Sequence, residues 1–305
     1  MAYQFINTES VPQGIKRVVC EEIESAINEL TDQQIDPHEG VHQARKRFKK
    51  IRAILRLVRK DLGEVYIQES PRFRDFGQKL SAIRDAEAMI ETFDKLQERF
   101  KEQLGSDARA EVKDNLVKRR QIVALEEEGL EQRVGEVVAE LRKARELVPF
   151  WPLINDGFSV LRPGLKKIYR SGRNRFAMAY QDPTADNFHE WRKRVKDLWY
   201  YSRLLQDLWP LLMDGYIESL HKLSEYLGDD HDLVVFKQLL IEQPEKIGSE
   251  QAVQTLKTLV DERQGELRAS AEKIAPRIYA EKPTSFCIRI EAYWQAWQSE
   301  KPAAG

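Results

Sequence analysis

Apolar residues recur at three- and four-residue spacing through most of the chain, and period-two runs of Val, Ile and Thr between turn residues are almost absent. The pattern predicts a protein that is all α. Gly and Pro clusters interrupt it at 12–14, 36–40, 63, 70–71, 105, 149–152, 182–183, 210, 228 and 244–248. This punctuation predicts about eight to ten helices, many of them long. The stretch Pro149, Phe150, Trp151, Pro152 stands near the middle, so a first helical bundle over 1–150 and a second over 151–305 are expected.

The two halves resemble each other. His42-Gln43-Ala44-Arg45-Lys46-Arg47-Phe48-Lys49 aligns with His189-Glu190-Trp191-Arg192-Lys193-Arg194-Val195-Lys196 at a separation of 147, with five of eight positions identical. The same separation lays Leu80, Arg84 and Asp85 on Leu227, His231 and Asp232, and Arg56 on Arg203. Upstream, Gly14-Ile15-Lys16-Arg17-Val18 lies on Gly164-Leu165-Lys166-Lys167-Ile168 at a separation of 150. The match fades beyond Asp94 and Leu240. A duplication of this extent predicts two copies of one bundle, related by a pseudo-twofold axis.

On a helical projection His42, Arg45, Lys46, Lys49, Arg56 and Lys60 fall within about 60° of one line, with Ala44, Phe48, Ile51, Ile54, Leu55, Val58 and Leu62 opposite. In the second copy His189, Arg192, Lys193, Lys196 and Arg203 repeat the basic stripe, with Tyr200 on it, and Trp191, Val195, Leu198 and Leu205 face the core. Arg47 and Arg194 project to the flank. A third basic stripe runs through Arg162, Lys166, Arg170 and Arg173.

Composition alone conceals this pattern. Lys and Arg number 49 against 50 Asp and Glu, for a net charge of −1. Yet residues 42–60 hold nine Lys or Arg and no acid, and residues 162–175 hold six more, again with no acid. Like charges at i,i+3 and i,i+4 repel by a few tenths of a kcal/mol per pair, which surface helices ordinarily relieve with intervening Glu. A lone basic face is most simply a solvated one, but a repeated and uncompensated one points to an anionic partner. The stripe from His42 to Lys60 is roughly 27 Å long, the scale of a polymer and not of one phosphate. Arg offers forked donors to phosphate oxygens, Lys a mobile charge, and His a donor whose charge depends on pH. A positive surround is expected to depress the pKa of His42 and His189. Asp85 and Asp232 are expected to orient basic side chains or cap helices.

Cys20 and Cys287 form no metal or disulfide pattern and suit a reducing compartment. The absence of a signal-like N-terminus and of an apolar run of roughly 20 residues predicts a cytoplasmic protein with no membrane span. No phosphate-binding Gly-rich loop, nucleophile elbow or cysteine metal motif occurs, and His231-Asp232 lacks a matching ligand in the first copy. The reading is therefore a non-enzyme without catalytic residues, metal or cofactor. Two alternatives use the same residues: a protein that binds RNA or DNA along its phosphate backbone, and a metal-dependent phosphohydrolase built on His231, Asp232 and Asp229 or Asp230.

The motifs His42-x-x-Arg45-Lys46-x-x-Lys49 and His189-x-x-Arg192-Lys193-x-x-Lys196, with Leu80-Ser81-x-x-Arg84-Asp85 and Leu227-Gly228-x-x-His231-Asp232, resemble those of the CHAD family, the conserved histidine α-helical domain. Ser81 and His231 depart from the family's Leu-Gly-x-x-Arg-Asp pattern. The resemblance implies two four-helix bundles of long antiparallel helices sharing a basic cleft or pore that binds inorganic polyphosphate, and a place at polyphosphate granules. With the basic stripes read above, the expected polyphosphate contacts are His42, Arg45, Lys46, Lys49, Arg56, Lys166, Arg170, Arg173, His189, Arg192, Lys193, Lys196 and Arg203, of which the resemblance covers the two His-x-x-Arg-Lys-x-x-Lys motifs. No Glu-x-Glu-x-Lys segment of the triphosphatase domain that accompanies some members is present, so a standalone binding module is expected.

Overall fold

The computed structural model describes residues 3–126 and 129–300, with the side chains of 82–85 and 124–126 left out. Arg84 and Asp85, the first copy of the downstream motif, thus lie outside the described residues. The described residues form twelve α-helices and no strand: α1 Val11–Thr31, α2 Pro37–Leu57, α3 Arg59–Leu62, α4 Glu64–Lys79, α5 Ala82–Arg99, α6 Ser106–Glu126, α7 Leu130–Leu147, α8 Phe158–Gln181, α9 Ala185–Leu204, α10 Pro210–Glu242, α11 Glu250–Ile278 and α12 Pro283–Ser299.

Polar caps set the entries. Asp36 accepts from the backbone N–H groups of His38 and Glu39 to start α2, Thr184 does the same from Asn187 for α9, and Ser10 and Gln13 form a reciprocal capping box on α1. Two expected breaks do not occur. Pro71 sits inside α4, where the carbonyl it leaves without a donor belongs to Ile67, an exposed residue that water can serve. Gly228 sits inside α10, which continues because Leu227 and Leu233 on either side are buried. One of the helices beyond the expected number is α3, a single turn closed by Gly63 at φ 52°.

Neighbours repeat between the halves. α1 packs on α2 as α8 packs on α9, α2 on α4 as α9 on α10, α5 on α6 as α10 on α11, and α1 on α7 as α8 on α12. The long α10 thus stands where the first half has α4 and α5, which are separated at Leu80-Ser81, the positions matched to Leu227-Gly228. Two apolar clusters result, and both draw on both halves. The larger gathers α1, α2, α4, α7, α8, α9, α12 and the first part of α10 around side chains such as Phe48, Ile51, Tyr169, Trp191 and Leu198. The smaller joins α5 and α6 to the far ends of α10 and the start of α11 through Phe93, Leu116, Phe236, Leu240 and Leu256. Between them α10 carries a polar interval, Gly228 to Asp232, and α2 and α9 lie against each other beside it.

Candidate functional site

Burial of the apolar faces aims the basic ones. Val41, Ala44, Phe48 and Ile51 hold α2 in the core, and Phe188, Trp191, Val195 and Leu198 hold α9, so the opposite faces turn toward the polar interval. There the two halves meet. The Lys196 ammonium is pulled down to about 7, first by burial and then by the charges of Arg192, Lys49 and Lys46, against which Asp232 offers partial relief. Lys46 and Lys49 remain exposed. Arg192 is lowered chiefly by burial and sits beside Gly228, where a side chain's Cβ would lie 3.8 Å from its guanidinium. Its counterpart Arg45 donates to the Leu80 carbonyl at 3.1 Å, across the matched junction.

His189 and His231 join this belt directly. Their Nδ1 atoms lie 3.1 Å apart with ring centroids at 4.2 Å, so one imidazole donates and the other accepts. His231 is depressed to about 4 by burial first and then by Arg192, while His189 is lowered by burial and then by Lys193. The expected depression of His189 is therefore present, with desolvation ahead of the positive surround. The sequence marks His231 as a departure from a motif and as a candidate metal ligand, not as a partner of His189. Its match to Arg84 gave no reason to set it against His189, a contact that the packing of α9 on α10 creates. Asp232 is raised by burial, with Arg192 opposing.

Other candidate residues go elsewhere. His42 lines a cavity of about 380 Å³ with Asp36, Glu39, Glu87, Glu91 and Arg120, and Lys46, also part of the belt, stands at its edge, so the His42 end of the stripe faces carboxylates. Arg56 pairs with Asp197 at the crossing of α2 and α9. Arg203 stacks over Trp199 and Tyr3. The α8 stripe turns to α12: Arg162 pairs with Glu291, Lys166 lies within electrostatic reach of the Cys287 thiol, and Arg173 donates to the Glu281 carbonyl at 3.3 Å. Tyr200, read on the stripe, is buried and offers no ring for stacking. The flanking Arg47 and Arg194 are anchors: Arg47 binds Glu29 at 2.7 Å and Glu22 at 3.2 Å, and Arg194 lies 3.5 Å from Asp197.

Two of the acids proposed for a metal site, Asp229 and Asp230, are engaged. Asp230 accepts from Arg268 at 2.8 Å and from Gln264, and Asp229 from Lys95 at 2.7 Å. Among the described residues no group of three or more His, Cys, Asp or Glu is arranged to hold a metal ion, and no helix is long and apolar enough to cross a membrane.

Lys196 makes a prediction for stability. Its folded-state pKa, about 7, lies below its unfolded value, so the charged form is penalised in full below pH 7 and the penalty disappears as pH rises toward the unfolded pKa. Lys196→Met is expected to stabilise the protein by roughly 1–2 kcal/mol at pH 6, after allowance for water that still reaches the side chain, and by almost nothing near pH 10. Urea unfolding at the two pH values measures this, and an equal gain at both would remove the charge as its cause.

Residues 21–241, which include both basic motifs, match the CHAD domain. The chain belongs to the CHAD family. Its fold agrees with the crystal structure of the CHAD domain from the plant Ricinus communis at a TM-score of 0.68 and 19% identity, covering 92% of this chain and 96% of that one. PptA from Streptomyces chartreusis matches at a TM-score of 0.60 and 11% identity over 90% of this chain and 100% of that one. No curated protein matches the sequence.

Proposed function

We propose that the protein binds inorganic polyphosphate without cleaving it, through the belt where α2 meets α9, and that it can reside at polyphosphate granules in the cytoplasm. Membership of a family associated with polyphosphate supports this reading. The observation that carries it is the convergence of Lys46 and Lys49 of α2 with Arg192 and Lys196 of α9, where burial first and then these charges lower the Lys196 ammonium to about 7, with Lys193 beside the adjoining His189 and His231. Such a cluster gains most from a ligand with closely and regularly spaced negative charges. Counterion release then makes binding salt-dependent: about five phosphate contacts correspond to a slope near −3.5, a loss of about a hundredfold between 50 and 200 mM salt.

Calorimetry with orthophosphate, tripolyphosphate and long-chain polyphosphate tests the reading. Affinity is expected to climb with chain length and fall with salt. Because a bound anion re-protonates Lys196, association near pH 8 is expected to take up a proton, seen as a dependence of the heat on buffer ionisation. Equal affinity for orthophosphate and the long chain would sink the proposal. Displacement of polyphosphate by an equal phosphate concentration of RNA would reverse the choice of polymer.

A further inference from the structure

A second basic cavity, of about 550 Å³, lies between the end of α2, α3, α4 and the paired helices α8 and α9, and its walls carry Arg52, Arg56, Arg59, Lys60, Lys167 and Arg194. Among the described residues no carboxylate lines it. Asp197 beneath it answers Arg56 and Arg194, but among the described residues no acid pairs with Arg52, Arg59, Lys60 or Lys167. The Nε atoms of Arg52, Arg56 and Arg194 are buried without a hydrogen-bond partner. Unsatisfied buried donors in a positive cavity are costly unless an anion completes them.

Comparison of the two halves isolates what is unusual. The residues matched to Arg56 and Arg194 are Arg203 and Arg47, which line a smaller cavity of about 200 Å³ between α1 and α9. There the charge is already met: Glu22, itself buried, accepts from Lys50 at 2.9 Å and from Arg47 at 3.2 Å. The groove is also filled, since Phe5 donates to the Leu204 carbonyl at 3.1 Å and the Tyr3 hydroxyl to the Lys50 carbonyl at 3.4 Å. On the α8 side the residue matched to Glu22 is Gly172, and Gly164 lies so near the Leu57 carbonyl, which is matched to that of Leu204, that a Cβ would approach it to 2.0 Å. Among the described residues no chain segment enters. Arg52, Arg59 and Lys60 are Trp199, Gln206 and Asp207 at the matched positions, so the added positive charge belongs to this side alone.

We infer that this cavity is a separate anion site for a compact organic polyphosphate, its phosphates held by Arg52, Lys60, Lys167 and Arg194. The volume suits a small molecule and is too short a space for a polymer. Its wall includes apolar and aromatic surface from Tyr66, Pro163 and Ile168, and the Arg59 guanidinium lies 4.6 Å over the Tyr66 ring, a platform on which a planar or ring-shaped body can rest.

ATP and inositol hexakisphosphate serve as probes, distinguishing a nucleotide from a phosphorylated ring, with tripolyphosphate as the probe that lacks an organic body. Titration into the full chain carrying Lys49→Glu and Lys196→Glu keeps the belt from competing. The expected result is 1:1 binding of ATP or inositol hexakisphosphate, weakened about tenfold by Lys167→Glu alone and about a hundredfold with Arg52→Glu added. Lys167 is exposed, so the single variant tests the site without risk to folding. Absence of binding by both organic probes, indifference to Lys167→Glu and Arg52→Glu, or tripolyphosphate binding as tightly as either probe would each overturn the inference. Failure of long-chain polyphosphate to bind the unmodified chain would instead count against the belt.

Discussion

Replacing Lys49 and Lys196 together by glutamate is expected to lower the affinity for long-chain polyphosphate by about a hundredfold or more at physiological salt, with the helical fold retained. Each change removes one released counterion and adds a repelling charge where α2 and α9 converge. Folding tolerates it because Lys49 is exposed and a glutamate at 196 would face the Arg192 guanidinium in place of the repulsion that Lys196 now meets. The informative control is Arg170→Glu with Arg173→Glu. These residues belong to a basic stripe of equal regularity in the sequence, of which Arg173 donates to the Glu281 carbonyl and Arg162 pairs with Glu291 of α12, while Arg170 is exposed. The control is expected to retain binding within about threefold, the scale of a long-range charge effect. Isothermal titration with one polyphosphate preparation compares the variants. An equal loss in both pairs would mean that the polymer follows overall positive charge and not the belt.

That contrast marks the limit of what the residues disclosed. The helices, the core faces of α2 and α9, and the family were legible, because apolar spacing and a repeated motif are local properties of the chain. The destination of a charged face was not. Arg56 falls on the α2 stripe by angle, yet Asp197 from the other half captures it; the stripe of α8 is as clean as that of α2, yet carboxylates and carbonyls of the last helix and its approach receive it. The two repeats, read as parts of one domain, share their apolar clusters; which helices meet in them was not legible, since an amphipathic face specifies that it must be covered and not by which helix. The identity of Arg47 and Arg194 had no place in the stripe; both are held by buried acids, Glu22 and Asp197, which come from different elements in the two halves.

Asp197 is accordingly the site of the largest expected loss of stability. It is 3% exposed, lies on α9, and is the counter-charge for Arg56 of α2 and for Arg194 one turn before it. The pair is not repeated: Asp197 matches Lys50 and Arg56 matches Arg203, so the second half supplies the acid and the first half the base. Asp197→Asn preserves shape but leaves two arginines, whose side chains are 23% and 26% exposed, with no opposing charge. Breaking a buried pair from one side costs about 3–5 kcal/mol, more than the pair contributes over an apolar replacement. Denaturant unfolding should report this loss. Adding Arg56→Met and Arg194→Met to an Asp197→Leu chain is expected to recover half or more of it, because the charges then leave together and apolar side chains fill the crossing. A loss below about 1 kcal/mol in Asp197→Asn would mean that water reaches both guanidinium groups and screens them as it does a surface pair. Because α2 and α9 also carry the belt, the Asn variant is expected to weaken polyphosphate binding only as far as it shifts the folded population, a distinction read by repeating the titration well below the unfolding midpoint.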